Sequence, residues 1–348
     1  MLPVPIVLDG IIFSLQRHGG ISVYFRQLLL RLAHDDIAAI LTLHGTLLQE
    51  APSVHRNREV RHSPSRFLER FRRCDISAQR AIFHSSYYRT PSVSSTPTVV
   101  TVHDFTYERC LTGPRRWLHS QQKFAAIRAA QSVICISEST RQDLLDLVGR
   151  TPGQALHVVY NGVDEAFAPQ SLPPAPRSFV LFVGQRAGYK NFALAVSAMA
   201  HLPDLELHCV GGGKFRSDEL AAVPECVRRR IRHLGFVADK TLNELYNQAV
   251  CLLYPSSYEG FGIPVVEAMR AGCPVVCVTC KAVIEVGRHA LTLVPTNDPR
   301  AVAAAVVQIA NPETRAAKVQ AGLAVARGYS WDLTYSQTLD VYRELASQ

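Results

Sequence analysis

Residues 256–272, "SSYEGFGIPVVEAMRAG", place Glu259 ahead of a Gly-Phe-Gly turn and Glu267 inside the segment that follows it. Gly260 and Gly262 bracket Phe261, so the backbone there can turn tightly or admit a close neighbour. Pro264 suits the first position of a helix, where its missing N–H costs nothing. Gly272 suits a left-handed helix exit, and Pro274 blocks continuation. The spacing predicts a short helix over 264–271 whose unpaired N–H groups face the turn, an arrangement suited to an anion. One carboxylate would lie in the loop and the other on the helix's first turns.

Apolar runs flank this unit, "VCLLYPS" before it and "PVVCVT" after it, so the stretch reads as strand, loop, helix, strand. The same alternation runs along the whole chain and predicts parallel α/β architecture. In the first half the strand candidates are "PIVLDG", "IAAILTLHG", "RAIFHSS", "TPTVVTVHD" and "SVICISES". Helical stretches there are "GISVYFRQLLLRLAHD", "RRWLHSQQKFAAIRAAQ" and "RQDLLDLVGR", the last behind a cap at Ser139. Residues 168–178, "APQSLPPAPRS", contain Pro169, Pro173, Pro174 and Pro176 and read as a linker. A second series follows it: "SFVLFVGQ", "LELHCVGGG", "IRHLGFV" and the strands already named. Two α/β domains joined by a linker predict a ligand cleft between them.

The chain has 348 residues, 47% hydrophobic and 19% charged, which describes globular domains and excludes a disordered chain. No run of 18 apolar residues occurs, so no membrane span is expected, and "MLPVPIVLDG" reads as a first core strand and not as a leader. Nine cysteines without a disulfide framework fit a reducing, cytoplasmic setting. Cys277 and Cys280 form a single C-x-x-C without further ligands at zinc spacing, and packing is the better reading. The net charge of +8 favours anionic partners without choosing among nucleotide, lipid and nucleic acid.

Several motifs sit where strands end. "FVGQRAGYKNF" presents Arg186 and Lys190 on a loop that Gly188 lets bend, a clamp for a diphosphate or else an ordinary solvated basic loop. "HCVGGGKF" ends in Gly211, Gly212 and Gly213; the run can admit a base or phosphate, or simply turn. "RHGGISVYF" sets Gly19 and Gly20 at a helix N-terminus, a second glycine loop facing the expected cleft or else a structural turn. "TVVTVHDFTY" brings His103 and Asp104 to the end of a strand, against the alternative of a satisfied core histidine. "FHSSYYR" offers His84, Tyr87, Tyr88 and Arg89 as a polar–aromatic wall able to face a sugar, or else as a helix start. None of the aspartates forms D-x-D, so a diphosphate would be neutralised by cations and helix N-termini and no divalent metal is expected. Residues 56–80, "RNREVRHSPSRFLERFRRCDISAQR", hold eight arginines and three acidic residues, with Phe67, Leu68 and Phe71 interleaved. This basic amphipathic segment can rest on anionic lipid, or form a solvated helix face.

Taken together, Glu259 and Glu267 have E-x7-E spacing inside "EGFGIPVVEAMRAGCPVV", which resembles the donor-binding signature of retaining glycosyltransferases of family 4. "HGGISVYF", "HDFTYE", "ICISESTRQDLL", "VYNGVDEAF", "FVGQRAGYKNF" and "YSWDLTYSQTLDVYREL" resemble family elements in the expected order, so the likeness covers essentially the whole chain. The resemblance implies a GT-B fold: two Rossmann-like domains facing each other across a cleft. It implies an acceptor domain over 1–167, a donor domain over 179–330, and a helix over 331–348 returning to the first domain. It further implies that Glu267 binds the ribose, Glu259 the transferred sugar, and the backbone of Gly260, Phe261, Gly262 and Ile263 the sugar and diphosphate. Arg186 and Lys190 match the pair that stabilises the departing diphosphate, although three residues separate them where many relatives have four. His103 matches the histidine near the reacting carbon, and Gly20 the glycine whose backbone approaches the phosphate. Gly19, Gly212, Phe236 and Val237 complete the expected donor site, and Asp104 joins His84, Tyr87 and Arg89 on the acceptor side.

The implied partners are a nucleotide-diphospho-sugar donor and a glycan or lipid-linked acceptor, with peripheral contact to anionic membrane through 56–80 and no nucleic acid. "VGQRAGYKNF" and "FHSSYYR" resemble mannosyltransferases that build bacterial polysaccharide and O-antigen. A sugar-nucleotide epimerase of the same fold and a non-catalytic nucleotide-sugar-binding subunit are the rival readings.

Overall fold

The structure, a computed structural model, describes residues 2–17, 19–35, 37–48, 58–64, 66–76, 80–171, 177–186, 188–216 and 218–347. The chain divides into two compact units, Met1–Gly162 with Trp331–Gln348, and Val163–Ser330.

In the first unit seven parallel strands, β1 (Ile6–Asp9), β2 (Ala39–His44), β3 (Arg58–Ser63), β4 (Ile82–Ser85), β5 (Thr98–Val102), β6 (Ser132–Cys135) and β7 (Ala155–Val158), lie in the order β3-β2-β1-β4-β5-β6-β7. In the second, β8 (Phe179–Val183), β9 (Glu206–Val210), β10 (Ile231–Gly235), β11 (Leu252–Tyr254), β12 (Val275–Val278) and β13 (Thr292–Val294) lie in the order β10-β9-β8-β11-β12-β13, again all parallel. Both are doubly wound, Rossmann-like sheets. The winding reverses between β1 and β4 in one unit and between β8 and β11 in the other, which opens a crevice at the carboxyl ends of those strands. Interior strands such as β5 and β8 are buried along their full length, which explains their continuous apolar runs.

The Trp331–Ala346 helix belongs to the first unit. Its Trp331, Tyr335, Leu339 and Tyr342 join Tyr24, Phe25 and Leu28 of the Gly20–His34 helix in one core. Three boundaries differ from expectation. The first unit ends at Gly162, because Val163 bridges to Ser330 and Phe167 packs edge-on against Tyr246 inside the second unit. The start of the proline-rich stretch is anchored too: Ala168 N and Gln170 N donate to the Asn243 and Asn247 side chains at 3.1 and 2.7 Å; Pro173, Pro174 and Pro176 lie outside the described residues. The cap of the Glu138–Leu147 helix is Ser137, whose hydroxyl accepts from Thr140 N, and not Ser139.

The described residues of 56–80 do not form an amphipathic helix. The described part forms edge strand β3 and a single 3-10 turn, Glu69–Phe71; residues 56, 57, 65 and 77–79 lie outside the described residues.

Candidate functional site

The crevice of the second unit is lined by the loops that follow β8 and β11. Behind β11, Gly262 takes a left-handed φ of 99° and caps the Ile263–Arg270 helix, with Pro264 in its first turn. A side chain at Gly262 would stand 3.3 Å from Val283 Cγ2, so the turn is closed to larger residues. Phe261 is buried edge-on against Tyr329 and fixes the turn from below. Gly272 exits the helix at φ 73°.

Lys190 from the β8 loop meets Glu259 from the β11 loop: Nζ lies 2.5 Å from Oε1, and 3.3 Å from the Tyr254 hydroxyl. A cation and a carboxylate thus share the switch point. Glu267 lies on the helix behind them, and the Tyr246 hydroxyl donates to its Oε2 at 3.0 Å. Burial pushes the Glu267 carboxyl up to about 7, and the like charges of Asp239 and Asp164 push the same way.

Arg186 does not join Lys190 on one target. Its side chain is almost fully buried, with Nε donating to Glu219 Oε1 at 3.0 Å. Nη1 reaches the Gly211 carbonyl at 3.2 Å, and Nη2 those of Gly212, Gly213 and Lys214 at 3.1, 2.9 and 3.0 Å. Phe215 packs on the guanidinium at 4.6 Å. The three glycines all have positive φ, 84°, 74° and 68°, and this run of left-handed residues turns consecutive carbonyls onto one cation. The motif "GGG" therefore wraps Arg186, a relation invisible when the two stretches are read separately. Phe236 is exposed at the carboxyl end of β10, with Val237 half-buried beside it.

In the first unit His103 follows β5 and is buried with its ring edge-on to Tyr24 at 5.3 Å. Burial pushes its pKa down to about 4, so the ring is neutral at pH 7, and Nε2 has no hydrogen-bond partner among the described residues. Asp104 Oδ1 accepts from Thr106 N at 2.8 Å and starts the Thr106–Cys110 helix. Gly19 is extended at φ 171°, and a side chain there would collide with Gln16; Gly20 opens the Gly20–His34 helix behind it.

Two profiles match the chain: one described as "Glycosyltransferase Family 4" over residues 18–167 and one as "Glycosyl transferases group 1" over residues 177–311. The chain belongs to glycosyltransferase family 4. This glycosyltransferase is 32% identical over 208 residues to the O-antigen chain mannosyltransferase B of Escherichia coli, covering 58% of this chain and about half, 52%, of that protein's length. It is 26% identical to the D-inositol 3-phosphate glycosyltransferase of Kineococcus radiotolerans, over 93% of this chain and 90% of that one. Its fold matches a solved sucrose-phosphate synthase from Thermosynechococcus elongatus with a TM-score of 0.80 at 19% identity, over 99% of each chain.

Two acceptor-side expectations are corrected by the glycosyltransferase's own packing. His84 is fully buried on β4, with Nδ1 2.6 Å from the Tyr342 hydroxyl and Nε2 2.8 Å from Thr101 Oγ1. Both ring nitrogens are occupied by protein, so it ties the Trp331–Ala346 helix to the sheet. Arg89 is also fully buried: Nη1 donates to Asp9 Oδ1 at 3.0 Å and His44 Nε2 at 2.9 Å, and Nη2 to Glu69 Oε1 at 2.7 Å. Tyr87 alone of that wall stays half-exposed, beneath the Arg70 guanidinium.

Asp9, His44 and Cys74 place ligand-type atoms within 4.8 Å of one another, the only such grouping found among the described residues. The Arg89 guanidinium already lies against Asp9 and His44, and a second cation beside it would be repelled. Cys277 and Cys280 are buried thiols, which burial pushes up to about 12 and 11, in keeping with packing roles.

Proposed function

We propose that this chain is a retaining, metal-independent glycosyltransferase that moves a hexose, mannose from GDP-mannose, to a glycan or lipid-linked acceptor during cell-surface polysaccharide synthesis. The observation that carries the reading is the contact between Lys190 and Glu259 at the switch point of the second unit, with Glu267 eight residues further on. Identity to an O-antigen chain mannosyltransferase supports the choice of sugar and pathway class.

On donor binding the diphosphate draws Lys190 away from Glu259, and the freed carboxylate accepts from the hydroxyls of the transferred sugar. Glu267 accepts from the ribose hydroxyls. Lys190 and the N–H groups of the Ile263–Arg270 helix stabilise charge on the departing phosphate oxygens. Arg186 acts by shaping the glycine run, and contributes directly only by leaving Glu219. The bond from the anomeric carbon to the phosphate oxygen breaks as the acceptor oxygen attacks the same face. The acceptor's proton passes to the leaving phosphate oxygen, so no carboxylate nucleophile and no metal is required. His103, neutral and with Nε2 unpartnered among the described residues, offers the sugar a hydrogen bond. The acceptor is handled by the first unit, at the cytoplasmic face of an anionic membrane.

A donor panel tests this. The protein is incubated in EDTA with GDP-, UDP-, ADP- and dTDP-sugars and with the bare diphosphates, and melting is recorded. Ligand at about 100 times its dissociation constant adds about 2.7 kcal/mol, a shift of several degrees. A response to guanosine compounds alone, followed by transfer with retained configuration that Glu259→Ala abolishes, is the expected result. A shift with another base reassigns the donor. Epimerisation without acceptor, or transfer that survives Glu259→Ala, overturns the reading.

A further inference from the structure

Two elements of the first unit that are distant in sequence but in contact each expose large apolar side chains. Phe67 is 82% exposed and Leu68 56% exposed, just before the Glu69–Phe71 turn. Leu68 holds a left-handed φ of 58°, rare for a bulky residue, yet its side chain points to solvent and not into the core. Trp117 is 65% exposed and Leu118 46% exposed in the first turns of the Pro114–Ala129 helix, where residues 111–118 all face water. The two elements touch: Gln122 Nε2 donates to the Arg70 carbonyl at 2.5 Å, and Leu118 lies one turn from Gln122 on the same helix face.

The charge on this face is mainly basic; the exposed acid beside the turn, Asp75, is paired with Arg66 at 3.2 Å. Arg72, Arg73, Arg115 and Arg116 are exposed, and residues 109–137 contain neither Asp nor Glu. Glu69, the one acid among residues 66–73, is buried and held by Arg66 and Arg89. That buried network anchors the turn from beneath and keeps its apolar tip outside. Apolar tips ringed by arginine, with the acid withdrawn, complement a surface that is anionic outside and apolar within.

We propose that Phe67, Leu68, Trp117 and Leu118 insert together into an anionic lipid bilayer, with Arg115, Arg116 and the arginines of the 66–73 turn on its headgroups. This deepens the membrane contact named above, and adds to it a helix start that the arginine-rich segment does not include. Its test reads lipid binding without any transfer assay, so the two readings fail separately.

The full chain is mixed with phosphatidylcholine vesicles, with and without phosphatidylglycerol, at low and high salt. The chain has two tryptophans, and Trp331 is buried, so exposed Trp117 reports the contact. Anionic vesicles should bind the protein, shift its emission to the blue and allow quenching by brominated acyl chains; Trp117→Phe should lose the optical signal. Replacing both Arg115 and Arg116 by Gln should weaken binding roughly 30-fold, at about fivefold per arginine. No vesicle binding, equal binding to neutral vesicles, or binding that leaves Trp117 unshifted and unquenched overturns the proposal. Capture of a protein partner by this face in place of lipid also overturns it.

Discussion

Arg89→Met separates a structural role for the "FHSSYYR" arginine from an acceptor-binding one. Methionine keeps much of the volume, so the change removes charge more than packing. In the wild type, Arg89 holds Asp9 Oδ1 at 3.0 Å and Glu69 Oε1 at 2.7 Å, with all three side chains 5% exposed or less. Removing one partner from a buried ion pair costs about 3–5 kcal/mol, because the other charge stays buried and unpaired. Glu69 keeps Arg66, at 2.8 Å on Oε2 and 3.0 Å on Oε1, whereas Asp9 keeps no permanent cation, with Ile11 N at 3.3 Å and the His44 ring Nε2 at 3.4 Å from Oδ1. The loss therefore falls mainly on Asp9, toward the lower end of that range. For a unit of this size about 3 kcal/mol lowers the melting point by about 6–12 °C.

The pH dependence gives a second signature. Hydrogen bonding from Arg66 holds the Glu69 carboxyl down at about 2, so its stabilisation is present above the ordinary carboxylate range and is lost only as pH falls toward 2. In the variant Glu69 keeps Arg66, so this acid-side loss should persist alongside the lower melting point. Thermal and urea unfolding across that range measure both. An unchanged melting point with loss of sugar transfer would refute the structural assignment and return Arg89 to the acceptor site.

Gly212→Ala should cost about 1–2 kcal/mol for the left-handed backbone, and more because its Cβ would stand 2.7 Å from Arg186 Nη1. Gly213→Ala, with nothing within 4 Å, should show the backbone part alone, and equal melting points would refute the wrapped-arginine reading. Glu267 is raised from 4.5 to about 7, so its contribution to stability is complete below 4.5 and disappears as pH rises through 7. The ligand-free wild type should accordingly lose melting temperature across that window, while Glu267→Gln stays flat. Lys190→Met should lower the transfer rate by about 10²–10³, the scale for removing one oxyanion donor, and a loss under tenfold would shift that role to Arg186.

Much of the fold was legible because interior strands of parallel sheets are buried on both faces. The strands left unread were β3, β7 and β13, all at sheet edges: β3 reads "REVRHS", the four residues of β7 are half-buried, and β13 has only three residues. Edge strands lack the apolar run that marks a buried one, and β3 carries the charge that protects an exposed edge. The short helix after the Gly-Phe-Gly turn was legible to within one residue, because proline and glycine act locally. Side-chain partners were not. His84 and Arg89 occupy strand-end positions that would suit a sugar site, but what faces them, Tyr342 and Asp9, lies far away in the chain. Arg186 and the glycine run likewise look like two separate phosphate-binding loops until their carbonyls and guanidinium are seen together.

The Trp331–Ala346 helix has a consequence for biosynthesis. Tyr342 closes on His84, Thr338 lies 3.4 Å from the Tyr24 hydroxyl, and the Thr334 hydroxyl donates to the Tyr160 carbonyl. The unit made from the first half of the chain is thus completed by residues translated after the whole second unit, since Val163–Ser330 is finished before Trp331 is made. A nascent chain would carry a finished second unit and an open first one, with the apolar bed of Tyr24, Phe25 and Leu28 uncovered until the Trp331–Ala346 helix leaves the ribosome. Order of synthesis and order of folding therefore run in opposite directions, and chaperone demand should centre on the half that is made first.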